Sequence, residues 1–177
     1  MDSDHPPAEH AIENHLPSIE SLLHEVIRHG RFELGFSIQK GAALADDLET
    51  PEYVVDFSGR DADLLLERNA ALLSAIEYLV LKAVRLEEEH FGKITFDCQE
   101  WRRLRNEELR LTAQVAAERV IETGDPLTLS PMSPRERRII HLTLKDRPQV
   151  RTESEGTGAE RKVVIIPTNP PSRRAHR

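Results

Sequence analysis

Ser133-Pro134-Arg135-Glu136-Arg137-Arg138-Ile139-Ile140-His141 is the stretch from which the rest of the chain is read. Ser133 is a helix-capping residue and Pro134 suits a first helical position. Glu136, three residues after Ser133, completes a capping box. A helix started there carries Arg137 and His141 one turn apart on the same face, with Ile140 and Leu144 on a face expected to be buried. A permanently charged guanidinium beside a titratable imidazole is a compact pair for meeting an anion. Val150 to Ser154 then alternates as a strand, Gly156 and Gly158 mark a turn, and Arg161 to Ile166 reads as the return strand. This hairpin is expected to bring Arg151, Arg161 and Lys162 near one another, beside Arg135, Arg137, Arg138 and His141. Two alternatives stay open: an ion pair of Arg137 with Glu153, and an imidazole of His141 bonded to the backbone.

A capped helix with Arg-x-x-x-His followed by two short strands resembles the R-3-H nucleic-acid-binding domain. The longer run LSPMSPRERRIIHLTLKDRPQVRTESEGTGAERKVVIIP, from Leu129, resembles the C-terminal domain of the bacterial Jag family, also called KhpB, EloR or SpoIIIJ-associated proteins. Met132, Pro134, Glu136, Arg137, Arg138, His141, Val150, Thr152, Ser154, Gly156 and Arg161 fall where that family's pattern has them. The resemblance implies single-stranded RNA as a partner, with single-stranded DNA as the alternative. It assigns nucleic-acid contact to Arg137, His141, Arg138, Arg135, Arg151, Arg161 and Lys162.

Working outward from this block, the first half is also mixed α and β. Ile19, Leu22, Leu23, Val26 and Ile27 form one helical face that Gly30 ends. Phe32, Leu34, Phe36 and Ile38 alternate as a half-buried strand, residues 40 to 52 read as an acidic loop, and Tyr53, Val55 and Phe57 mark a second strand. A short helix over Asp61 to Leu66, a longer one from Ala70, and a third strand at Ile94, Phe96 and Cys98 follow. This order is that of a type II KH domain, a three-stranded sheet with helices on one face. Gly59 to Leu66, Ala75-Ile76-Glu77-Tyr78-Leu79, and Asp97 with Trp101 to Arg105 resemble the Jag-type KH domain. The expected fold class is therefore α+β, a type II KH domain followed by a small helix-plus-hairpin R-3-H domain. The expected boundaries are a disordered stretch over 1–15, KH over 16–98, R-3-H over 99–167 including a long linking helix, and a basic flexible tail over 168–177.

One departure matters for function. A KH domain grips the nucleic-acid backbone through a Gly-x-x-Gly loop, whose glycines let phosphates approach main-chain N–H groups. The family's loop is Gly-Lys-Arg-Gly, and this chain has Glu67-Arg68-Asn69-Ala70. Glu67 repels phosphate, Ala70 adds a side chain, and Asn69 offers a helix N-cap, while Arg68 at the lysine position keeps a cation able to contact phosphate. The loop is expected not to clamp RNA in the usual way.

Charge follows the same division. The net charge of −7 hides an asymmetry: from Ser130 onward there are 11 Lys and Arg against 5 Asp and Glu, leaving 13 against 26 before it. The block with the Arg-His pair is thus the locally positive one, suited to phosphate. Arg102, Arg103 and Arg105 on the linking helix are either a second basic cluster or a solvated face balanced by Glu100, Glu107 and Glu108. Trp101 is read as core. An enzyme is not expected: Cys98 has no positioned nucleophilic partner, the eight histidines show no metal-ligand spacing, and there is no phosphate-binding G-x-x-x-x-G-K. No cofactor or metal is called for. One cysteine, an acidic polar start and no long apolar run fit a cytoplasmic setting. A small KH-domain protein, or a second copy through the KH domain, is the further partner the resemblance implies. The family's N-terminal Jag domain is not read in these residues.

Overall fold

The computed structural model describes residues 12–41 and 51–168. The acidic run at 42–50, most of the expected N-terminal stretch and the basic tail from 169 lie outside the described residues. The fold is α+β, in two compact units that divide between Arg102 and Arg103.

The first unit contains α1 (Leu16–Gly30), β1 (Leu34–Lys40), β2 (Tyr53–Gly59), α2 (Ala62–Ala83), a 3-10 segment (Glu88–Lys93) and β3 (Ile94–Cys98). Its sheet has the order β1-β2-β3, with β1 and β2 antiparallel and β2 and β3 parallel. Alternation along β2 buries Tyr53, Val55 and Phe57, which meet Phe96 and Cys98 of β3 and Ile19 and Leu23 of α1 in one core. Ile12 is fully buried in that core, so the chain is already tied down within the stretch expected to be disordered. Gly59 is required where β2 turns into α2. Its φ is +132°, and a Cβ there would stand 2.3 Å from the Glu33 carbonyl oxygen.

α2 is two helical pieces separated by residues 67–70. Glu67 is extended, and Arg68, Asn69 and Ala70 are all left-handed, with φ of 51°, 62° and 55°. Asn69 therefore does not take the extended backbone expected of an N-cap residue. It is instead one of the few side chains that tolerates this region without a glycine.

The second unit contains most of α3 (Trp101–Thr123), then β4 (Leu127–Thr128), α4 (Pro134–Thr143), β5 (Val150–Glu155), a 3-10 turn (Gly158–Glu160) and β6 (Lys162–Pro167). Trp101 packs against the first core. Leu109, Ala113, Ala117 and Val120 of α3 pack with Ile139, Ile140 and Leu144 of the α4 segment and with Val150, Val163 and Ile165 of the hairpin. The expected hairpin pairs Val150 with Pro167 and Glu155 with Lys162. A third strand, β4, adds to the other edge of β6, giving the order β4-β6-β5. At two residues it is too short to show a period of two in the sequence. Thr168, placed in the tail by the sequence reading, is tied back through bonds to Gln149 and Pro148.

Candidate nucleic-acid interface

The helix that opens the quoted stretch starts as its residues dictate. The Ser133 hydroxyl accepts from the Glu136 amide at 3.3 Å, and the Glu136 carboxylate accepts from the Ser133 amide at 2.8 Å. Glu136 is only 7% exposed, and its second oxygen accepts from Arg105 Nε at 2.8 Å. A carboxylate at a helix N-terminus is favoured by the peptide dipoles, and the guanidinium compensates its burial. Both links fix the start of α4 and hence where the next two turns point.

Arg137 and His141 project together from α4 onto β5. His141 Nδ1 lies 2.6 Å from the Thr152 hydroxyl, and Nε2 lies 2.9 Å from the Ser154 hydroxyl. Arg137 Nη1 donates to the same Ser154 oxygen at 3.1 Å. Thr152 and Ser154 share one face of β5 because side chains alternate along a strand. Among the described residues no carboxylate lies within ion-pair distance of Arg137, and its Nε is buried without a hydrogen-bond partner. Burial first, and the neighbouring Arg137 second, push the His141 pKa below the ordinary imidazole value of 6.5. His141 is therefore neutral at pH 7, and the cation of this pair is Arg137.

Both alternatives left open by the sequence are resolved. Glu153 is paired with Arg151, not with Arg137. His141 is bonded to side-chain hydroxyls, not to the backbone. The surrounding basic residues are not gathered as expected. Arg151 stands opposite Ile166 at one end of the hairpin, whereas Lys162 stands opposite Glu155 at the other, about 14 Å apart at the usual rise per residue. The same alternation that turns Thr152 and Ser154 toward α4 turns Arg151 and Lys162 to the opposite face of the sheet. Arg161 is exposed just before β6 begins. Arg138 is exposed and is the i−3 neighbour of His141, so it flanks the pair, while Arg135 is half-buried and engaged within the fold.

The arginines at the start of α3 resolve as a balanced set. Arg102 donates to the Phe96 carbonyl at 2.5 Å and pairs with Glu77. Arg103 faces Glu107, and Arg105 joins Glu108 and Glu136. Asp97 accepts from the Arg102 amide at 3.2 Å, holding the helix start in place. In the first unit the 67–70 loop presents Glu67, Arg68 and Asn69 to solvent and buries Ala70 completely. Sequence reasoning gave no role to Thr152 and Ser154. The available signal was the strand alternation, which put them on one face but did not say that the face meets α4.

Residues 107–167 match the family model of the R-3-H domain. The chain is 32% identical over 114 residues to a Clostridium symbiosum protein named RNA-binding protein KhpB, covering 64% of this chain and 51% of that protein. It is 34% identical over 110 residues to the protein of that name from Bacillus subtilis, covering 61% and 53%. For the protein of that name from Lactiplantibacillus plantarum the identity is 29% over 125 residues, covering 66% and 39%. The chain thus spans about half the length of the first two of these relatives. No helix among the described residues is long and apolar enough to cross a membrane.

Proposed function

From the premise that this chain carries an R-3-H domain and is a relative of the KhpB proteins, we propose that it binds single-stranded RNA, chiefly through the Arg137–His141 face of that domain. The observation that carries this reading is the state of Arg137. Its guanidinium bonds the Ser154 hydroxyl beside a neutral imidazole, with no carboxylate within ion-pair distance among the described residues. A half-buried cation without an internal counter-charge is completed by an external anion, and phosphate is the anion a nucleic acid supplies. Arg138 extends the same face; Arg135, Arg151, Arg161 and Lys162 add field at longer range. Single-stranded DNA offers the same phosphates, and competition between matched RNA and DNA oligomers distinguishes the two.

The first unit is read as a KH-type domain whose loop at 67–70 no longer receives phosphates in the usual way. Glu67 stands there as an exposed carboxylate, and Ala70 fills with a buried methyl the place of the second glycine. The role is one of binding rather than catalysis, in the cytoplasm, without cofactor or metal. A protein partner for the first unit, either a small KH-domain protein or a second copy, is the other reading. It is supported by Leu64, Tyr78 and Leu79 of α2, which stand 42%, 55% and 64% exposed. A partner that survives nuclease treatment of the purified complex favours it.

The deciding experiment measures binding of a labelled uridine 12-mer across a salt series. Each phosphate contact contributes about 0.7 to the logarithmic salt slope for single strands. Changing Arg137→Ala and His141→Ala together lowers affinity by at least about tenfold and flattens the slope. A double variant that binds as the parent does removes the reading.

A further inference from the structure

The hydrogen bonds around His141 have a fixed direction, and it depends on the protonation of the ring. Ser154 Oγ has one hydrogen to give and two lone pairs. It accepts from Arg137, which can only donate. The guanidinium also decides the tautomer of His141. A ring N–H directed toward Arg137 is disfavoured by the positive charge, and a lone pair there is favoured. Nε2 meets Ser154 Oγ, which Arg137 also bonds, so the electrostatics assign Nε2 the lone pair and leave Nδ1–H to donate to Thr152. The donor chain then runs from Arg137 to Ser154 to His141 to Thr152, each bond polarising the next. In this state the Ser154 hydrogen is held by the imidazole and is not available to a ligand.

Adding one proton to His141 reverses the middle bond. Nε2–H now donates to Ser154 Oγ, which accepts from both neighbours, and its own hydrogen must turn away from both. Ser154 is half-buried rather than enclosed, so the released hydroxyl has an open side. The protonated state also sets two cations side by side. The carboxylate on the same helix, Glu136, is taken up by the Ser133 amide and Arg105, and among the described residues none forms an ion pair with Arg137 or His141. On its own segment His141 is flanked by Arg137, Arg138 and Lys145. On β5, Arg151, Glu153 and Glu155 alternate to the far face of the sheet, as does Lys162 on β6.

We propose that Ser154 is a third anion-binding residue of this site, and that a phosphate held at Arg137 draws one proton from solvent onto His141, turning the Ser154 hydroxyl toward the phosphate. The inference rests on the RNA-binding reading above and deepens it. Without ligand, the buried environment and Arg137 keep His141 neutral. A bound phosphate offsets the repulsion from Arg137 and favours the imidazolium, so affinity rises as pH falls, by at most about tenfold per pH unit for a single proton.

The test uses the full chain and the uridine 12-mer. Nitrogen-15 NMR of the histidine side chains, with His141→Gln identifying the signal, reads the ring directly at constant pH 7. The expected result is an Nδ1–H tautomer in the free protein and a doubly protonated ring once RNA is bound. In parallel, affinity tightens about threefold to tenfold from pH 7.5 to 6.0 in the parent. Most of that gain is lost in Ser154→Ala, kept in Ser154→Thr, and absent in His141→Gln. A ring that stays neutral with RNA bound overturns the inference and leaves the RNA reading standing. Absence of RNA binding by the parent overturns the RNA reading, and the inference with it.

Discussion

Arg102 and Arg137 are both half-buried arginines near a helix start, and they are treated in opposite ways. Arg102, in the first unit, is closed off: Glu77 neutralises its charge, and the Phe96 carbonyl takes its Nε–H. Arg137, in the second, bonds a hydroxyl beside a neutral imidazole, and among the described residues its Nε–H is left without an acceptor. A guanidinium whose charge is cancelled inside the fold holds structure together. One whose charge is not cancelled retains attraction for something outside. The two candidate loci for nucleic acid divide the same way. The 67–70 loop combines an exposed carboxylate with three consecutive left-handed residues, none of them glycine. The α4–β5 face combines a cation with hydroxyls. A motif's residue types are therefore a weaker guide to binding than whether the fold has already satisfied them.

The largest effect that can break this comparison is on stability. Arg102→Ala removes the guanidinium paired with Glu77, itself 17% exposed, and is expected to cost the first unit about 3 kcal/mol in urea unfolding followed by Trp101 fluorescence. The salt slope of RNA binding is expected to stay as in the parent. A changed slope would mean that Arg102 faces ligand after all.

Next in size, replacing the loop by Glu67→Gly, Arg68→Lys, Asn69→Arg and Ala70→Gly removes the carboxylate and relieves left-handed strain of about 1 kcal/mol at the new glycine at position 70. RNA affinity is expected to rise, with about 0.7 added to the salt slope for each contact regained. An unchanged affinity would show that the loop's chemistry is not what limits the first unit. Ser133→Ala removes one arm of the capping box and is expected to destabilise the second unit by about 1 kcal/mol, read from the α4 amide signals during a urea titration.

The smallest effect is a pH dependence. The folded pKa of His141 lies below that of the unfolded chain, so the unfolded state binds the extra proton first. The stability that neutral His141 contributes is fully present above about pH 6.5 and is lost as pH falls through its lower folded value. The same urea titration at pH 7.5 and pH 5.5 measures it, and His141→Gln is expected to reduce the difference. A difference unchanged in that variant would show that other groups carry it.

Much of this was legible before any coordinates. The capping box at Ser133 and Glu136 is a local device, set by residues three apart, and it forms as read. The shared face of Arg137 and His141 follows from helical periodicity alone, as does the burial of Ile140 and Leu144. The hairpin between Val150 and Pro167 follows from alternation and two glycines. The failures are equally physical. Arg151 and Lys162 are close in composition and sign, but strand parity sends them away from α4, and register sends them to opposite ends of the hairpin. For the arginines of α3 the sequence left a basic cluster and a balanced face open; Glu107 and Glu108 pair as the balanced face requires, while Glu77 and Glu136, 25 and 31 residues away, were out of its reach.

The sequence alone determined the helix carrying Arg137 and His141, the α+β order of elements, and the loss of glycine from the loop at 67–70. Each depends on neighbours within a turn or a strand, where propensity and periodicity act directly. Only the tertiary structure decided that Thr152 and Ser154 meet the imidazole, that Arg102 is neutralised and that Arg137 is not. Those outcomes depend on which face of β5 packs on α4 and on which carboxylate folding brings to each guanidinium. Packing of the whole core sets both, and no local run of residues encodes either.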